Sequence, residues 1–534
     1  MRNFRRLFLT FAWTALACTA PRLNARSATP EPRQITADLS RITAPHSRSA
    51  LLVVGAGRAN EGLRADWQAQ LALVQREIGF RYIRFHGLLD DDMGVYKEDS
   101  VGNPRYNFQY IDGLYDALLA LKIRPFVELS FMPSPLASGK QTVFWYRGNI
   151  TPPKDMNKWK GLIRALLAHW KERYGEDEIS KWYFEIWNEP DLRIFFAGSS
   201  EDYFNLYAAS AATIKDVCPT CRVGGPASAT PPFEGKFLQY MIDHHVPVDF
   251  ISTHIYSIKQ GFVDPSTGAV STVFDTSPDA IVARMRSSHE NIVHSALPNL
   301  QLHYTEWGSS YTSVDPLHDQ YLQASFILDK IRKASAYVTS MSYWTFTDIF
   351  EERGPRFTPF YGGFGLLNYQ SIRKPSWFAY KFLSQLGTSD VASTDTASGG
   401  PCSWITRTGD QQLQALFWDY SPIAPPSGQD DQHFFRREIP AVPTEPVALT
   451  LNHLPDGWYK LAVYRVGYER NDAYTAYLHM GAPSQITRQQ VDQLQAAASG
   501  APSETRIVHV THGTFQQTFP MRSNDICLVT LTRV

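Results

Sequence analysis

Between residues 50 and 385 the chain alternates eight short apolar runs with stretches of helical periodicity, and this alternation narrows the fold more than any other feature. The candidate strands are Leu51–Val54, Tyr82–Phe85, Arg124–Leu129, Trp182–Trp187, Arg222–Gly225, Asp249–Thr253, Leu302–Thr305 and Val338–Trp344. Between the first two, Trp67, Leu71, Val74 and Ile78 recur at helical spacing. Trp159, Leu162, Ile163, Leu166 and Trp170 do the same between the third and fourth. An open doubly wound sheet normally has about five or six strands, so eight strand–helix units predict an α/β protein built on a closed (β/α)8 TIM barrel. Gly55-Ala56-Gly57 follows the first run but lacks the third glycine and acidic partner of a dinucleotide turn, and no GxxxxGK[ST] loop occurs. No cofactor is called for.

Beyond about residue 390 the texture changes. Gly, Pro and Ser gather around 398–410 and 422–430, and short strand-like runs follow: Leu413–Tyr420, Val447–Leu451, Trp458–Val466, Tyr474–His479, Thr505–His509, Thr514–Phe519 and Ile526–Thr532. Helical periodicity is nearly absent there, Thr487–Ala498 excepted. The expected organisation is a catalytic barrel over 45–388 and a β-rich accessory domain, a β-sandwich, over 389–534.

The amino terminus reads as an export signal over 1–28: the basic MRNFRR, an apolar run from Leu7 to Ala20, then small and polar residues. Residues 29–44 read as a poorly structured leader. The apolar run is shorter than the roughly 20 residues of a membrane span, and no later window reaches that length. Periplasmic or extracellular location is expected, with Cys18 as the one candidate for lipidation. Without Cys18, four cysteines remain. Cys218-Pro-Thr-Cys221 has the spacing of a metal knuckle but no second pair, so it is read as a local disulfide or two free thiols. A disulfide joining Cys402 and Cys527 would close the accessory segment. Consecutive Asp90, Asp91 and Asp92 cannot converge on one cation and are read as capping and ion-pairing residues, so no metal is called for.

In a barrel, catalytic groups stand where strands run into the βα loops. Two acids do so: Glu189 at the end of Phe184-Glu185-Ile186-Trp187-Asn188-Glu189-Pro190, and Glu306 at the end of His303-Tyr304-Thr305-Glu306. Either alone is the pattern of a salt-bridged rim residue. On strands four and seven, each set among aromatics, they can converge on one bond. Glycosidic cleavage needs such a pair, one carboxyl to protonate the leaving oxygen and one carboxylate near the anomeric carbon. His254 and Tyr256 occupy alternate positions leaving strand six, so both can point into the mouth toward Glu306 or a sugar hydroxyl. Trp344 closes strand eight and could floor a sugar site, with core packing as the plainer role. Lys plus Arg number 51 against 52 Asp plus Glu, a net charge of -1 that offers no footprint for nucleic acid, whereas the 13% aromatic content suits sugar faces.

The segments Gly57-Arg-Ala-Asn-Glu-Gly-Leu-Arg64, Arg84-Phe-His-Gly-Leu-Leu89, Glu128-Leu-Ser-Phe-Met-Pro133, Trp187-Asn-Glu-Pro190, Thr253-His-Ile-Tyr256, Thr305-Glu-Trp307 and Tyr343-Trp-Thr-Phe-Thr-Asp-Ile-Phe-Glu-Glu352 follow in one order across nearly the whole barrel. In this the chain resembles the β-xylosidases of glycoside hydrolase family 39, within the retaining (β/α)8 clan. The resemblance implies that Glu189 is the general acid/base, that Glu306 is the nucleophile, and that hydrolysis proceeds with retention. It also implies substrate-binding roles for Asn188 at the sugar 2-OH, His86 at a sugar hydroxyl, Glu352 at distal hydroxyls and Phe195 in the pocket wall. Two departures stand out: Gly308 and Asp191 occupy positions where relatives often carry Asn.

The expected activity is that of an exported, exo-acting retaining β-1,4-xylosidase releasing xylose from the non-reducing ends of xylo-oligosaccharides. The alternatives are the same machinery on an arabinopyranoside, a glucoside or an exopolysaccharide fragment, and a non-catalytic polysaccharide-binding protein. The sequence alone leaves the oligomeric state open.

Overall fold

A computed structural model describes residues 31–263 and 270–534. The expected export signal over 1–28, with the lipidation candidate Cys18, therefore lies outside the described residues. Eight parallel strands close a barrel: β1 (Val53–Arg58), β2 (Tyr82–His86), β3 (Arg124–Leu129), β4 (Tyr183–Ile186), β5 (Arg222–Ser228), β6 (Phe250–Tyr256), β7 (Gln301–Gly308) and β8 (Ser340–Tyr343). Closure runs through the pairing of Tyr343 with Val54 between β8 and β1. A helix follows each strand: α1 (Ala65–Glu77), α2 (Gln109–Ala120), α3 (Met156–Tyr174), α4 (Ser200–Val217), α5 (Pro231–Asp243), α6 (Ala280–Val293), α7 (Leu322–Ala334) and α8 (Pro375–Gln385). The periodic residues that mark the helices in sequence, Trp67, Leu71 and Val74 on α1 and Trp159, Leu162, Ile163, Leu166 and Trp170 on α3, are buried against the barrel. None of the helices among the described residues is long and apolar enough to cross a membrane.

The strands that follow the barrel are β9 (Ser389–Asp395), β10 (Ser403–Thr408), β11 (Gln412–Trp418), β12 (Val447–Asn452), β13 (Gly457–Val466), β14 (Glu504–Val510), β15 (Thr514–Phe519) and β16 (Ile526–Arg533). They form one nine-stranded sheet in the order β14-β13-β16-β11-β10-β9, an amino-terminal strand Arg33–Pro45, β12, β15. In a flat sheet β11 and β15 would lie five spacings, about 24 Å, apart. Yet the rings of Phe417 and Phe519, one on each, have centroids 5.4 Å apart. The sheet is therefore folded over on itself, with a core of its own that includes Ile35, Leu449, Leu461 and Val529 and the two-layered form of a sandwich.

Four expectations are corrected. Residues 33–45 are a strand, not an unstructured leader: Ile35, Ala37 and Leu39 alternate into the sandwich core, and the strand pairs with β9 and β12. The Gly, Pro and Ser around 398–410 bracket β10. Tyr474–His479 is a helix (Ala473–His479), capped by the Asp472 side chain accepting from the Thr475 amide. Its Tyr474 and Tyr477, three apart, pack on one aromatic, Phe360, at 5.8 and 5.0 Å. Finally, Cys402 and Cys527 are free, while Cys218 and Cys221 are disulfide-bonded. Cys527 sits opposite Phe417, which sits opposite Ser403. Cys402 is thus two strands away, about 10 Å, beyond the roughly 7 Å that a disulfide spans.

Candidate active site

The carboxyl ends of the barrel strands open into a cavity of about 1080 Å³, at the upper end of the size range for ligand sites. All nine residues singled out from the sequence line it: Glu189, Glu306, His86, Asn188, Phe195, His254, Tyr256, Trp344 and Glu352. β4 ends at Ile186, and the turn after it forces Trp187 and Glu189 to positive φ, 73° and 44°, a backbone region that non-glycine residues seldom occupy. The Glu189 amide donates to the Ala227 carbonyl at 2.9 Å, which ties the turn to β5. Glu306 lies within β7, paired in register with His254 on β6. One carboxylate oxygen of each glutamate and a ring nitrogen of His254 lie within 4.8 Å of one another.

The two carboxyls have different surroundings. Burial pushes the Glu189 carboxyl well above the usual range, reinforced by the charges of Glu306 and Asp191, which favours the protonated form that a general acid must present. His254 Nδ1 stands 2.8 Å from Glu189 Oε1, and burial, together with Arg84 and His86, pushes this imidazole well below its ordinary value. Glu189 thus faces a neutral partner. Glu306 instead accepts from Arg84 Nη1 and from the Tyr256 hydroxyl, both at 2.8 Å, a guanidinium and a phenol that hold it as an oriented acceptor.

Arg84 is the hub that sequence reading passed over. Fully buried, it donates to Glu185 at 2.5 Å and to Asn188 Oδ1 at 2.9 Å, and pairs with Glu128 at 2.7 Å, besides holding Glu306. By occupying Asn188 Oδ1 it turns the donor end of that amide to the ligand, the end a sugar hydroxyl oxygen needs. Glu128 also takes His86 Nδ1 at 2.8 Å, which fixes the ring so that Nε2 lies 3.5 Å from Glu306 and 3.9 Å from Glu352. The signal for this hub was present in the strand period. Arg84 and His86 are two apart on β2 and share its inward face.

The apolar walls follow from glycines and rings. Trp344 packs its indole 4.8 Å from the His86 ring, and a Cβ on Gly55 would lie 2.5 Å from that indole. A Cβ on Gly57 would meet the Glu61 carboxylate at 2.3 Å. The glycines of β1 thus make room for side chains, not for a phosphate. Phe144, also unmarked in the sequence, stacks on His86 at 5.8 Å and packs on Phe195 at 5.4 Å. It sits in the turn between two short antiparallel strands, Thr142–Val143 and Gly148–Asn149, and that turn is pinned by the Trp145 amide donating to the Glu352 carbonyl at 2.8 Å. Burial, then Glu306 and Glu61, push the Glu352 carboxyl well up, which favours its neutral form, a donor as well as an acceptor. Asp191 turns away from a ligand: it accepts from the Ala229 and Thr230 amides at 3.0 and 2.8 Å and acts on Glu189 only through its charge. A Cβ at Gly308 would lie 3.5 Å from the Tyr256 ring. Asp92 pairs with Arg58 and Asp91 accepts from the Ser134 amide, so the three aspartates do not converge.

The sequence model of glycosyl hydrolases family 39 matches residues 37–514. The chain is 36% identical over 489 residues to a β-xylosidase of Geobacillus stearothermophilus, covering 90% of this chain and 92% of that one. Its fold superposes with a TM-score of 0.90 on the family 39 enzyme of Xanthomonas axonopodis pv. citri, at 42% identity and covering 96% of this chain and all of that one. A monomeric β-xylosidase from Caulobacter crescentus CB15 gives 0.89 at 40% identity over 94% of this chain and all of that one.

Proposed function

Since the chain belongs to glycoside hydrolase family 39, we propose that it is an exo-acting retaining β-1,4-xylosidase that removes xylose from the non-reducing ends of xylo-oligosaccharides. The observation that carries this reading is the pair Glu189 and Glu306, two carboxyls of contrasting environment within 4.8 Å in one cavity. Retaining glycosidases hold their carboxyls about 5–5.5 Å apart, and inverting ones leave roughly 6.5–9.5 Å for a water. In the first step the Glu306 carboxylate attacks the anomeric carbon while Glu189 gives its proton to the departing glycosidic oxygen, leaving a xylosyl ester on Glu306. In the second, water attacks the same carbon and gives a proton to Glu189, and the released β-xylose restores the Glu306 carboxylate. Arg84 and Tyr256 hold the nucleophile in line. Asn188 meets the 2-hydroxyl, a contact that tightens toward the transition state, and Trp344, His86 and Glu352 receive the ring and its other hydroxyls.

Proton NMR of xylobiose hydrolysis tests this directly. The first xylose to appear is expected as the β-anomer, and initial α-xylose would overturn the two-step mechanism. Product sizing on xylotriose tests the exo action, with xylose and xylobiose as the expected first products. The export signal belongs to the same proposal, and fractionation of the expressing cell would place the enzyme outside the cytoplasm.

A further inference from the structure

The cavity wall beyond Tyr256 is not built by the barrel alone. After β6 the chain forms a hairpin of two strands, Ile258–Val263 and Val270–Phe274. Ile258 and Gly261 line the cavity, as does Tyr311 from the loop after β7. A Cβ on Gly261 would fall 2.0 Å from the Tyr311 hydroxyl, so strand and ring are in close contact. The Tyr311 ring meets that of Tyr256 edge-on at 6.3 Å, and Tyr256 donates to the nucleophile. On its other side the hairpin is gripped by a short segment of the accessory domain, Asp431–Phe434. The Phe274 amide donates to Asp431 Oδ1 at 3.1 Å, the Thr272 amide to Gln432 Oε1 at 2.8 Å, and Gln432 Nε2 to the Thr272 hydroxyl at 2.7 Å.

The centre of this grip is a pair of acids. Asp315, fully buried on the loop after β7, accepts from the Thr272 hydroxyl at 3.0 Å and from the Leu317 amide at 3.0 Å. Asp431 Oδ2 is buried as well, and its carboxyl lies beside the side chains of Asp315 and Thr272. Two buried carboxyls in contact cannot both be ionised, so they share a proton. Other charged groups on the packed elements are engaged elsewhere. Asp430 pairs with His433 and takes the Ser271 hydroxyl, Asp319 pairs with Lys374, His318 Nδ1 meets the Gly362 carbonyl, and Arg436 donates to the Gln432 carbonyl. Among the described residues no ion pair reaches either acid.

We propose that Asp431 is a positioning residue for the substrate cavity: by sharing one proton with Asp315 it holds the hairpin strands against Tyr311, and so fixes the wall that leads to the nucleophile. The inference deepens the xylosidase reading and rests on it for its substrate. Burial pushes Asp315 up to about 6 and Asp431 to about 8, so the pair, titrating as a unit, loses its last proton to solvent above about pH 8. The grip then becomes a repulsion.

The test compares the wild type with Asp431→Asn and Asp431→Ala. An asparagine can accept from Phe274 with its carbonyl and donate to Asp315 with its amide, reproducing the protonated acid at every pH. Hydrogen exchange of 258–263 and 270–274 is followed at pH 6 and pH 9 after correction for intrinsic rates. Protection is expected to drop at pH 9 in the wild type, to persist in Asp431→Asn, and to be low at both pH values in Asp431→Ala. At pH 6 the KM for xylobiose should rise about fivefold in Asp431→Ala, the worth of one hydrogen bond, with kcat within about twofold and with Asp431→Asn close to wild type. Equal protection in all three proteins, or an asparagine variant that behaves like alanine, would overturn the proposal. Were Asp431→Ala not to fold, the pH response of the wild type against Asp431→Asn still decides. A wild type that leaves xylobiose intact would refute the xylosidase reading, while the exchange comparison would still decide the grip.

Discussion

Replacing Arg84 by Met removes the only guanidinium among three buried carboxylates. Glu185, Glu128 and Glu306 stand 2.5, 2.7 and 2.8 Å from it, and its own side chain is fully buried. Breaking a buried ion pair from one side costs about 3–5 kcal/mol, because the remaining charge stays desolvated. The loss here is bounded near that range, since Glu128 keeps His86 and Glu185 keeps the Thr305 hydroxyl at 2.9 Å. In a large domain each kcal/mol moves the midpoint by about 2 °C, so calorimetry is expected to show a fall of roughly 6–10 °C. Catalysis should suffer separately. Glu306 loses one of its two donors and Asn188 loses the contact that orients its amide, and misplacement of such groups by about 1 Å costs on the order of 100-fold. kcat on xylobiose is therefore expected to fall by about 100-fold or more in the variant that remains folded. Arg84→Lys, which keeps the charge but not the fork, should recover much of the midpoint and little of kcat. A midpoint within about 2 °C of the wild type for Arg84→Met, with unchanged kcat, would refute the assignment of Arg84 as the hub of the site.

Glu189→Ala should lower kcat/KM for xylobiose by about 10²–10⁴-fold, and far less for an aryl xyloside whose leaving group needs no proton; equal losses on both would contradict the acid role. Because the Glu189 carboxyl is pushed up, wild-type kcat/KM for xylobiose is expected to decline on the alkaline side as that proton is lost, a limb that the aryl xyloside profile of Glu189→Ala should lack. Burial also raises Glu61 and Asp90, both to about 8. Acids with raised folded-state values contribute stability that is complete below about pH 4 and is lost as pH rises toward about 8. Replacing Glu61 by Gln should flatten that part of the stability profile in denaturant titrations, and an unaltered slope would count against it. Gly55→Ala drives a Cβ into the Trp344 indole. Such overpacking costs about 1–3 kcal/mol, and a raised xylobiose KM is expected with it; an unchanged KM would mean the indole does not floor the site.

Much of this molecule is legible in one dimension, for reasons of period. Strand and helix repeats announce themselves within ten or fifteen residues, which is why the eight barrel strands and helices stand in the sequence close to their places in the fold. Polar residues that end apolar runs do the same for Glu189, Glu306, His254 and Tyr256, because the barrel puts every strand end at one mouth. The misread elements lacked a local cue or carried a false one. Ile35, Ala37 and Leu39 alternate like a strand, but their partners β9 and β12 lie more than 340 residues away, and the segment follows a stretch whose basic and apolar residues read as an export signal. The aromatic run Tyr474–His479 reads as β, yet its rings are spaced to pack as a helix on Phe360.

The sequence by itself determined the barrel, the sandwich and the identity of the two carboxyls, since each is written in local periodicity or in a residue type at a strand end. Only the tertiary structure decided how near those carboxyls stand, that Arg84 joins four side chains from three strands and the turn after β4, that Cys402 and Cys527 lie apart, and that Asp431 reaches from one domain to brace the other. Those are distances between segments far apart in the chain. They are set by closure of the barrel and folding of the sheet, and no repeat along the sequence encodes them.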